Sequence, residues 1–463
     1  MVGLSRQLIR LLLQRRERGE ISGVLRRKVL LHVTDAVAIG WAATTSPPLA
    51  QQLMDAMCMG VEGGACQVFG SPRQLPPTLA AFTNAALIHT LDFDDIHDIS
   101  RLHPTAVTLP AAMAAAQLTQ APMSRVVDAV ALGSELMCRL GTMLRPQGKG
   151  PGSDWFLTQL FGYFGAALTA GVVMEQTEDQ LVAAFGFAYM QAAGGKEAGF
   201  GVGCTGRSIY PAFAAMGGVM AAQLSQAGLT GPASSLDGAA NLFCIYLQGD
   251  PSAVQKAELL DQQRWEFSAT CIKPWPSCRL SHPYVAAALA LRQQLQGEGL
   301  KHLEVAVNGS AAKLCHPLAE RRRPQTLQDA KYSVPYMTAY ALVHGQIDLE
   351  GLRLEALPNP DVWALTDRIS IVETLPDGPG HPPAQLRATT ISGRELQVNA
   401  PMDFDLDEAG VQRKFMQCLA QAGLQDCAPA AWQALRSADT LPDVALLMNP
   451  ALELPQGQQR QPV

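Results

Sequence analysis

Apolar residues recur at helical spacing through the first part of the chain. Six Ala- and Leu-rich stretches, separated by Gly or Pro, have the period of three to four residues that is typical of α-helices. They are Leu79–Leu91, Thr105–Leu118, Val126–Leu140, Phe164–Met174, Gln180–Ala193 and Ala212–Ala227. No convincing strand pattern interrupts them before about residue 268. The N-terminal part is therefore predicted to be helical throughout.

The pattern changes after Pro274. Apolar residues alternate with others from Leu303 and again around Ile369, which is the period of a β-strand. The segments Leu386–Ile391 and Glu395–Val398 flank a Ser-Gly pair that is typical of a hairpin turn. Helical spacing then returns towards the C-terminus. We predict a mainly α fold in which a smaller α/β domain follows the helical part and the last helices pack back on it.

Length and composition narrow the class of protein. A chain of 463 residues exceeds the size at which one hydrophobic core keeps growing, which favours two domains. No apolar run approaches the roughly 20 residues that span a bilayer, so no membrane is expected as a partner. The segment Ser5–Arg18 is interpreted as an amphipathic first helix, since its apolar run is too short for an export signal and closes with charged residues.

Charge and cysteine usage exclude further classes. The net charge is −6, and the one basic run, Arg321–Arg323, lacks interleaved aromatic residues, which argues against nucleic acid as a partner. Ten cysteines are scattered without a CxxC pair, which argues against a zinc site and a dense disulfide framework. A cytoplasmic location is expected.

The densest group of titratable side chains lies around the junction of the first two predicted helices. Four carboxylates and three imidazoles occur there within a short span: Asp92, Asp94, Asp95, Asp98, His89, His97 and His103. Carboxylates repel one another, so solvent, a cation or catalytic use must compensate. One interpretation is an active-site loop in which a carboxylate and an imidazole converge on a substrate. The alternatives are helix-capping carboxylates with solvated histidines, or a divalent metal bound by Asp94, Asp95, His97 and Asp98 without the regular spacing of a calcium loop.

A second group of charged residues surrounds a proline-stiffened turn where the pattern changes. Lys273, Arg279 and His282 lie within ten residues of one another. Rigidly held cations suit an anionic substrate, because Arg offers a carboxylate two donors and both cations stabilise developing negative charge. The alternative is a domain linker with surface charges and a helix-capping serine.

Two weaker motifs occur elsewhere in the chain. Gly201–Gly206 matches the GxGxxG pattern of dinucleotide-binding proteins, but no strand precedes it and no acidic residue follows at the expected distance. A glycine-rich loop near a site, with Arg207 as an anion contact, is the better interpretation. Tyr332 and Tyr336 open an apolar helix and, taken alone, are expected to be core residues.

Several motifs in order resemble the MmgE/PrpD family, which includes 2-methylcitrate dehydratase, cis-aconitate decarboxylase and an iminodisuccinate epimerase. The matching segments are Leu91-Asp92-Phe93-Asp94-Asp95 with His103-Pro104, Gly165-Ala166-Ala167, Gln226–Gly231, Lys273-Pro-Trp-Pro-Ser-Cys278 with His282, and Tyr332-Ser-Val-Pro-Tyr336. The resemblance implies a large all-helical domain (residues 1–268 and 404–463), an inserted α/β lid domain (residues 269–403), a homodimer, and neither a metal nor an organic cofactor. It places between the domains a site lined by Asp92, His103, Lys273, His282 and Tyr336.

The chain also departs from the family pattern. Phe156 stands where a histidine is expected, Gly206-Arg207 replaces a Thr-Lys pair, Tyr210 replaces a histidine, and Ile96 replaces a threonine. Arginine keeps the positive charge of lysine but does not release a proton at neutral pH. Phe156 removes a donor and shrinks the polar pocket, which favours a substrate other than the family's best-known ones.

The leading hypothesis is a cofactor-independent lyase that moves a proton next to a carboxylate of a small di- or tricarboxylate, with dehydration or decarboxylation as the outcome. His103, oriented by Asp92, is the predicted base or acid, and Tyr336 or His282 supplies a second proton. Lys273, Arg279 and Arg207 hold the carboxylates. The alternatives are an epimerase of the iminodisuccinate type and a catalytically inactive member that acts as an interaction dimer. A third hypothesis, a nucleotide-dependent oxidoreductase, is supported by the GxGxxG pattern alone.

Overall fold

The computed structural model describes residues 2–46, 48–146, 152–378, 383–402 and 404–449. Helices predominate, and a four-stranded sheet lies in the C-terminal part, which confirms the predicted mainly α fold class. Among the helices of these residues, none has the length and apolar character needed to cross a bilayer.

A first hydrophobic core gathers the N-terminal helices and the last helices of the chain. The N-terminal helices are α1 (Leu4–Glu17), α2 (Gly23–Ala43), α3 (Leu49–Cys58), α4 (Pro77–Thr90), α5 (Thr105–Thr119), α6 (Met123–Leu144), α7 (Leu157–Val173), α8 (Glu178–Gln191), α9 (Tyr210–Gln226), α10 (Leu242–Tyr246) and α11 (Ala253–Leu259). The six helices predicted from the apolar period are all present, and α7 begins seven residues before the predicted Phe164.

Helix α7 is the centre of this core. All 17 of its residues are buried, as expected for a helix that is apolar on every side. Helix α6 approaches it closely at Gly133, where a Cβ atom would lie 2.6 Å from the Gly165 carbonyl oxygen. At the start of α7, Thr158 accepts a hydrogen bond from the His103 backbone N–H at 3.0 Å. The central helix therefore fixes the loop that precedes α5.

Two small strand pairs occur where the sequence predicted none. β1 (Cys66–Val68) and β2 (Ser71–Leu75) form a hairpin, and β3 (Ile96–His97) pairs antiparallel with β4 (Thr270–Cys271). The expectation of a strand-free N-terminal part is therefore wrong. These strands are two to five residues long, too short for a recognisable alternation. The pair β3–β4 has a positional role, since it joins the acidic loop to the segment that leads into the second core.

The second hydrophobic core belongs to the predicted lid. Its helices are α12 (His282–Leu295), α13 (Gly309–Ala312), α14 (Leu318–Arg322), α15 (Leu327–Lys331), α16 (Val334–His344) and α17 (Pro360–Thr366). Its strands are β5 (Leu300–Val307), β6 (Ile369–Glu373), β7 (Ala384–Thr390) and β8 (Glu395–Ala400), in the order β6-β5-β7-β8. β5 runs parallel to β6 and antiparallel to β7, and α12 covers β7 and β8. The strands and the hairpin predicted from the alternating segments are confirmed.

The chain then returns to the first core through α18 (Glu408–Gln421), α19 (Ala428–Arg436) and α20 (Ala445–Met448), and α18 packs on α2. The outgoing and returning segments lie side by side. Ile272 N–H donates to Asp405 Oδ1 at 2.8 Å, and Leu406 N–H donates to the Ile272 carbonyl at 3.3 Å. The domain boundaries at 268/269 and 403/404 stay a prediction, and residues 450–463 of the predicted helical domain lie outside the described residues.

Candidate active site

Helix α4 ends in a turn that carries the carboxylates of the site. Asp92 has a φ of +49°, a left-handed conformation that costs energy in a non-glycine residue unless its surroundings hold it. Three buried lysines donate to carbonyls of this turn: Lys331 to Thr90 at 3.2 Å, Lys273 to Asp92 at 3.0 Å and Lys414 to Phe93 at 2.7 Å. Carbonyls at a helix C-terminus carry partial negative charge, so cations stabilise them.

Asp92 and Lys273 form a buried ion pair. The ammonium contacts Asp92 Oδ1, and the two side chains are 3% and 0% exposed. Burial alone would raise the pKa of Asp92, but Lys273, with His89 and His103, lowers it below its usual range. Asp92 therefore stays ionised. The predicted orientation of His103 by Asp92 is wrong, because this carboxylate is bound by Lys273 and a different aspartate contacts the imidazole.

His103 is held by the acidic loop itself. Its Nδ1 lies 2.7 Å from the Asp95 carbonyl oxygen and 3.3 Å from Asp94 Oδ2. Since a carbonyl oxygen only accepts, Nδ1 carries the proton, and Nε2 of the neutral ring has a free lone pair. The side chain is 10% exposed, and Nε2 has no hydrogen-bond partner among the described residues. This arrangement suits a base.

Asp94 and His89 complete the group around His103. Sequence reasoning assigned His89 no role and considered Asp94 only as a metal ligand. His89 Nδ1 lies 2.9 Å from Asp94 Oδ2, and the His89 and His103 rings are 4.9 Å apart. Burial would raise the pKa of Asp94, but the two imidazoles hold it well below its usual value. Asp94 is therefore an anion between two imidazoles, where it stabilises positive charge that develops on His103. The one sign of this role in the sequence was the position of Asp94 directly before Asp95 in the matched motif.

The Asp95 side chain fixes the carbonyl that His103 binds. Its carboxylate lies 2.7 Å from His32 Nδ1 and accepts from the Thr105 hydroxyl at 2.5 Å and the Thr105 N–H at 3.3 Å. All three residues are buried. The orientation of His103 is therefore set by side chains of α2 and α5 acting through the backbone at residue 95.

The alternative metal site does not form. Asp94 binds His89, Asp95 binds His32, His97 Nε2 donates to the Glu266 carbonyl at 3.0 Å, and Asp98 binds Arg279. A different group, His89, Asp94 and His103, has ligand atoms within 4.8 Å of one another. The contacts of both imidazoles with Asp94 account for that closeness.

We expect activity to be independent of divalent metals. After dialysis against a chelator, turnover of the protein should match that of an untreated sample, because the ring nitrogens nearest Asp94 are used as hydrogen-bond donors. Loss of activity on dialysis, with recovery on adding back one metal, would contradict this assignment.

From the predicted lid, His282 and Tyr332 reach the site. Burial, then Arg279 and Lys273, hold the pKa of His282 well below its usual range, so the ring is neutral. Its Nε2 donates to the Ser277 carbonyl at 3.2 Å, while Nδ1 is buried without a partner among the described residues. His282 is therefore placed as a proton acceptor rather than the predicted donor.

Tyr332, rather than Tyr336, lies beside the charged groups of the site. Burial raises the pKa of Tyr332 well above its usual value, and Asp92 and Arg207 are among its electrostatic neighbours. The Tyr336 hydroxyl is buried in the second core, has no hydrogen-bond partner in the described part of the chain, and interacts with Tyr340. The geometry favours Tyr332 as the hydroxyl donor.

Arg279 joins structural elements. Its Nε and Nη2 bind both carboxylate oxygens of Asp98 at 2.9 and 2.7 Å, and Nη1 donates to the Phe404 carbonyl at 2.8 Å. Because all three nitrogens already have acceptors, this geometry favours a structural role over the predicted substrate contact. Arg279 links the acidic loop to the segment that returns from the second core.

Arg207 lies in the glycine-rich loop, which docks against the second core. Its guanidinium carbon is 3.4 Å from the Tyr332 ring centroid, and Nη1 donates to the Gly199 carbonyl at 2.7 Å. Gly201, with a φ of +70°, presents its carbonyl to Arg321. Helical segments, and not a strand, lie directly before this loop, so the dinucleotide interpretation has no support. Among the described residues, Arg207 keeps donors for an anion.

Two aromatic residues form one wall of the site. Phe156 stacks on Tyr210 with ring centroids 4.1 Å apart and 16° between planes, and Tyr210 lies edge-on to His89 at 4.9 Å. Burial raises the pKa of Tyr210, and its hydroxyl contacts Thr158 at 3.3 Å. This wall offers an apolar surface where the family pattern has imidazoles.

Replacing Lys331 with methionine should stabilise the protein at pH 7. Lys331 is 3% exposed and has no carboxylate partner among the described residues, and burial lowers its pKa to about 8. In the unfolded chain the pKa of lysine is about 10. Between about pH 8 and pH 10 the unfolded state therefore binds more protons than the folded state, so the free energy of unfolding of the wild type rises with pH. Lys331→Met should therefore have the higher Tm at pH 7, and the difference should shrink by pH 10. Thermal melts at both pH values, with the exposed Lys301→Met as control, measure this; a lower Tm at pH 7 would contradict it.

The fold and site together define a two-core, mainly helical protein with a buried cluster of aspartate, histidine and lysine side chains where the cores meet. Models of the MmgE/PrpD N-terminal domain and C-terminal domain match residues 17–255 and 275–428. The chain therefore belongs to the MmgE/PrpD family, as its motifs indicated.

Characterised relatives carry related names. The chain is 26% identical over 377 residues to cis-aconitate decarboxylase of Aspergillus terreus, covering 75% of this chain and 74% of the relative. It is 24% identical to cis-aconitate decarboxylase of Mus musculus, covering 77% and 73%. A cis-aconitate decarboxylase-like protein of Aspergillus oryzae is 26% identical, with 75% of each chain covered.

Proposed function

We propose that the chain is a cofactor-independent lyase that acts on a small di- or tricarboxylate by proton transfer at a carbon next to a carboxylate. The observation that carries this proposal is His103, whose Nδ1–H is bound by the Asp95 carbonyl so that Nε2 is left as a base at the edge of a buried, cation-rich site. The names of the relatives add support for carboxylate lyase chemistry.

In the dehydration form of the reaction, His103 Nε2 takes a proton from the carbon beside a carboxylate. The electron pair left on that carbon delocalises into the carboxylate, which becomes a dianion. Arg207 binds that dianion, and Lys273 adds positive charge nearby. The electrons then form the double bond as hydroxide leaves, and Tyr332 gives this group the proton that makes it water.

In the decarboxylation form, the bond between the carbon and one carboxylate breaks and carbon dioxide leaves. The electron pair stays on carbon, is stabilised by the remaining carboxylate and its cations, and takes a proton from His103 in its protonated form. Asp94 stabilises that protonated ring before transfer. The same residues therefore serve both outcomes, and the substrate decides which bond breaks.

Incubation with a panel of acids in D2O tests the proposal. Citrate, 2-methylcitrate, cis-aconitate, iminodisuccinate and malate would each be followed by proton NMR, with heat-denatured protein as control. We expect deuterium incorporation or conversion of at least one acid. Silence across the panel would contradict the proposal and favour the catalytically inactive family member. Analytical ultracentrifugation of the same sample tests the predicted homodimer.

Epimerisation is the second candidate. An epimerase needs bases on both faces of one carbon. Nδ1 of His282, which has no hydrogen-bond partner among the described residues, is our candidate for the second base. Loss of optical rotation together with deuterium exchange, without elimination or carbon dioxide release, would identify this reaction.

A further inference from the structure

Lys196 is fixed beside the aromatic wall by backbone pairing. Trp155 and Gly195 form an isolated antiparallel bridge. The Phe156 N–H donates to the Gly194 carbonyl at 2.7 Å, and the Lys196 N–H donates to the Asp154 carbonyl at 2.8 Å. The base of the Lys196 side chain is therefore held next to the Phe156 ring.

The charged neighbours of Lys196 are mainly cations. Arg207, Lys313 and Arg101 act on it electrostatically, and no carboxylate lies within ion-pair distance in the described residues. Burial, followed by these three cations, lowers the pKa of Lys196 to about 8. Arg101 has Asp377 as an electrostatic partner, but Lys196 lies among like charges with no carboxylate of its own, which is unfavourable unless an anion binds there.

A small cavity adjoins this cluster. Its volume is about 40 Å³, and its lining includes Lys196, Arg101, Ser153, Phe156 and Tyr210. This is room for one small group such as a carboxylate. Tyr210 separates the cavity from His89, and the His89 ring contacts His103. The cavity therefore lies beside the candidate active site.

We propose that Lys196 binds a second carboxylate of the substrate, at the end away from the carbon that reacts at His103. This inference rests on the proposed function and narrows it. The substrate is then an acid with two separated carboxylates. The carbons between these carboxylates pack on the Phe156–Tyr210 wall. Monocarboxylates are excluded because they leave Lys196 without an anionic partner.

Substitution of Lys196 in the full-length protein tests the proposal. Calorimetric titrations would use citrate, cis-aconitate and the monocarboxylate crotonate, with wild type, Lys196→Met, Lys196→Arg and the exposed-lysine control Lys301→Met. We expect Lys196→Met to weaken binding of the polycarboxylates at least tenfold, and Lys196→Arg to stay within about threefold of wild type. Where an acid is turned over, Lys196→Met should raise KM more than it lowers kcat.

Proton linkage gives a second measurement. Anion binding should restore the proton of Lys196, so at pH 8 the wild-type binding enthalpy should depend on the buffer's ionisation enthalpy, with net proton uptake that Lys196→Arg lacks. Arg207, Lys313, Arg101 and Cys278 are the other groups that act on Lys196. Wild-type affinity for the polycarboxylates in Lys196→Met, with turnover intact, would overturn this inference alone. Failure of every acid to bind wild type would overturn the proposed function as well.

Discussion

His103→Ala should reduce turnover by about 10²–10⁴-fold, the range for loss of a positioned acid or base. The substitution removes Nε2, the free base of the site, and leaves Asp94 and the Asp95 carbonyl in place. Stability should change little, by about 1–2 kcal/mol, because the ring contributes a hydrogen bond at the edge of the site rather than a packed core. Initial rates with any acid converted in the NMR panel, together with thermal melts, measure both effects.

The matched control is His302→Ala, which removes an exposed histidine from β5. It should leave both rate and Tm at wild-type values. Full activity in His103→Ala would refute the assignment of the base. A large loss of stability in the same variant would show a structural role instead.

Lys273→Met should impair both folding and activity. It leaves the Asp92 carboxylate buried without its partner, and breaking a buried ion pair from one side typically costs about 3–5 kcal/mol. The Asp92 carbonyl also loses a donor, so the left-handed turn is held less firmly. We expect a clear drop in Tm and a rate at least a hundredfold below wild type.

The double variant Asp92→Asn/Lys273→Met separates the two effects. With neither charge present, much of the lost stability should return, because replacing both members of a buried pair is often close to neutral. Activity should not return, since the cation that stabilises the dianion is still absent. Chemical denaturation and initial rates on all three proteins measure this, and a double variant with wild-type rate would rule out a catalytic part for the pair.

Features with a strong local pattern were predictable from the sequence. The apolar period defines α4 to α9, and the two-residue period defines β5 to β8, because each pattern extends over several residues. The acidic loop was recognisable because its charged residues are adjacent in the chain. Lys273 was recognisable because of its proline-rich turn.

The pairing of side chains within the site was less predictable. Asp92 was expected to orient His103, but the positive φ at Asp92 turns its side chain towards Lys273 and leaves Asp94 to contact the imidazole. Sequence spacing contains no sign of that backbone conformation. Tyr332 and Tyr336 are similar in sequence, and only the start of α16 at residue 334 separates the site-facing tyrosine from the core one.

Isolated residues were the least predictable. Lys196, Lys331 and Lys414 belong to no charge cluster in the chain. Lys331 and Lys414 each bind a carbonyl that is far away in sequence. Lys331 lies 241 residues from Thr90, and Lys414 lies 321 residues from Phe93. Such contacts follow from the tertiary fold alone.

The position of α18 has a consequence for how the chain matures on the ribosome. Lys414 in α18 binds Asp35 in α2 at 2.8 Å, so the buried face of α2 lacks its cover until almost the whole chain has been synthesised. At about 5–20 residues per second, that delay is on the order of tens of seconds. The insertion has its own hydrophobic core and can fold during this interval, whereas the first core remains a partly exposed intermediate. We expect chaperones to bind nascent chains that end before residue 408. Chaperone binding to ribosome-bound chains stalled before and after α18 would test this, because it should be lost once α18 covers α2.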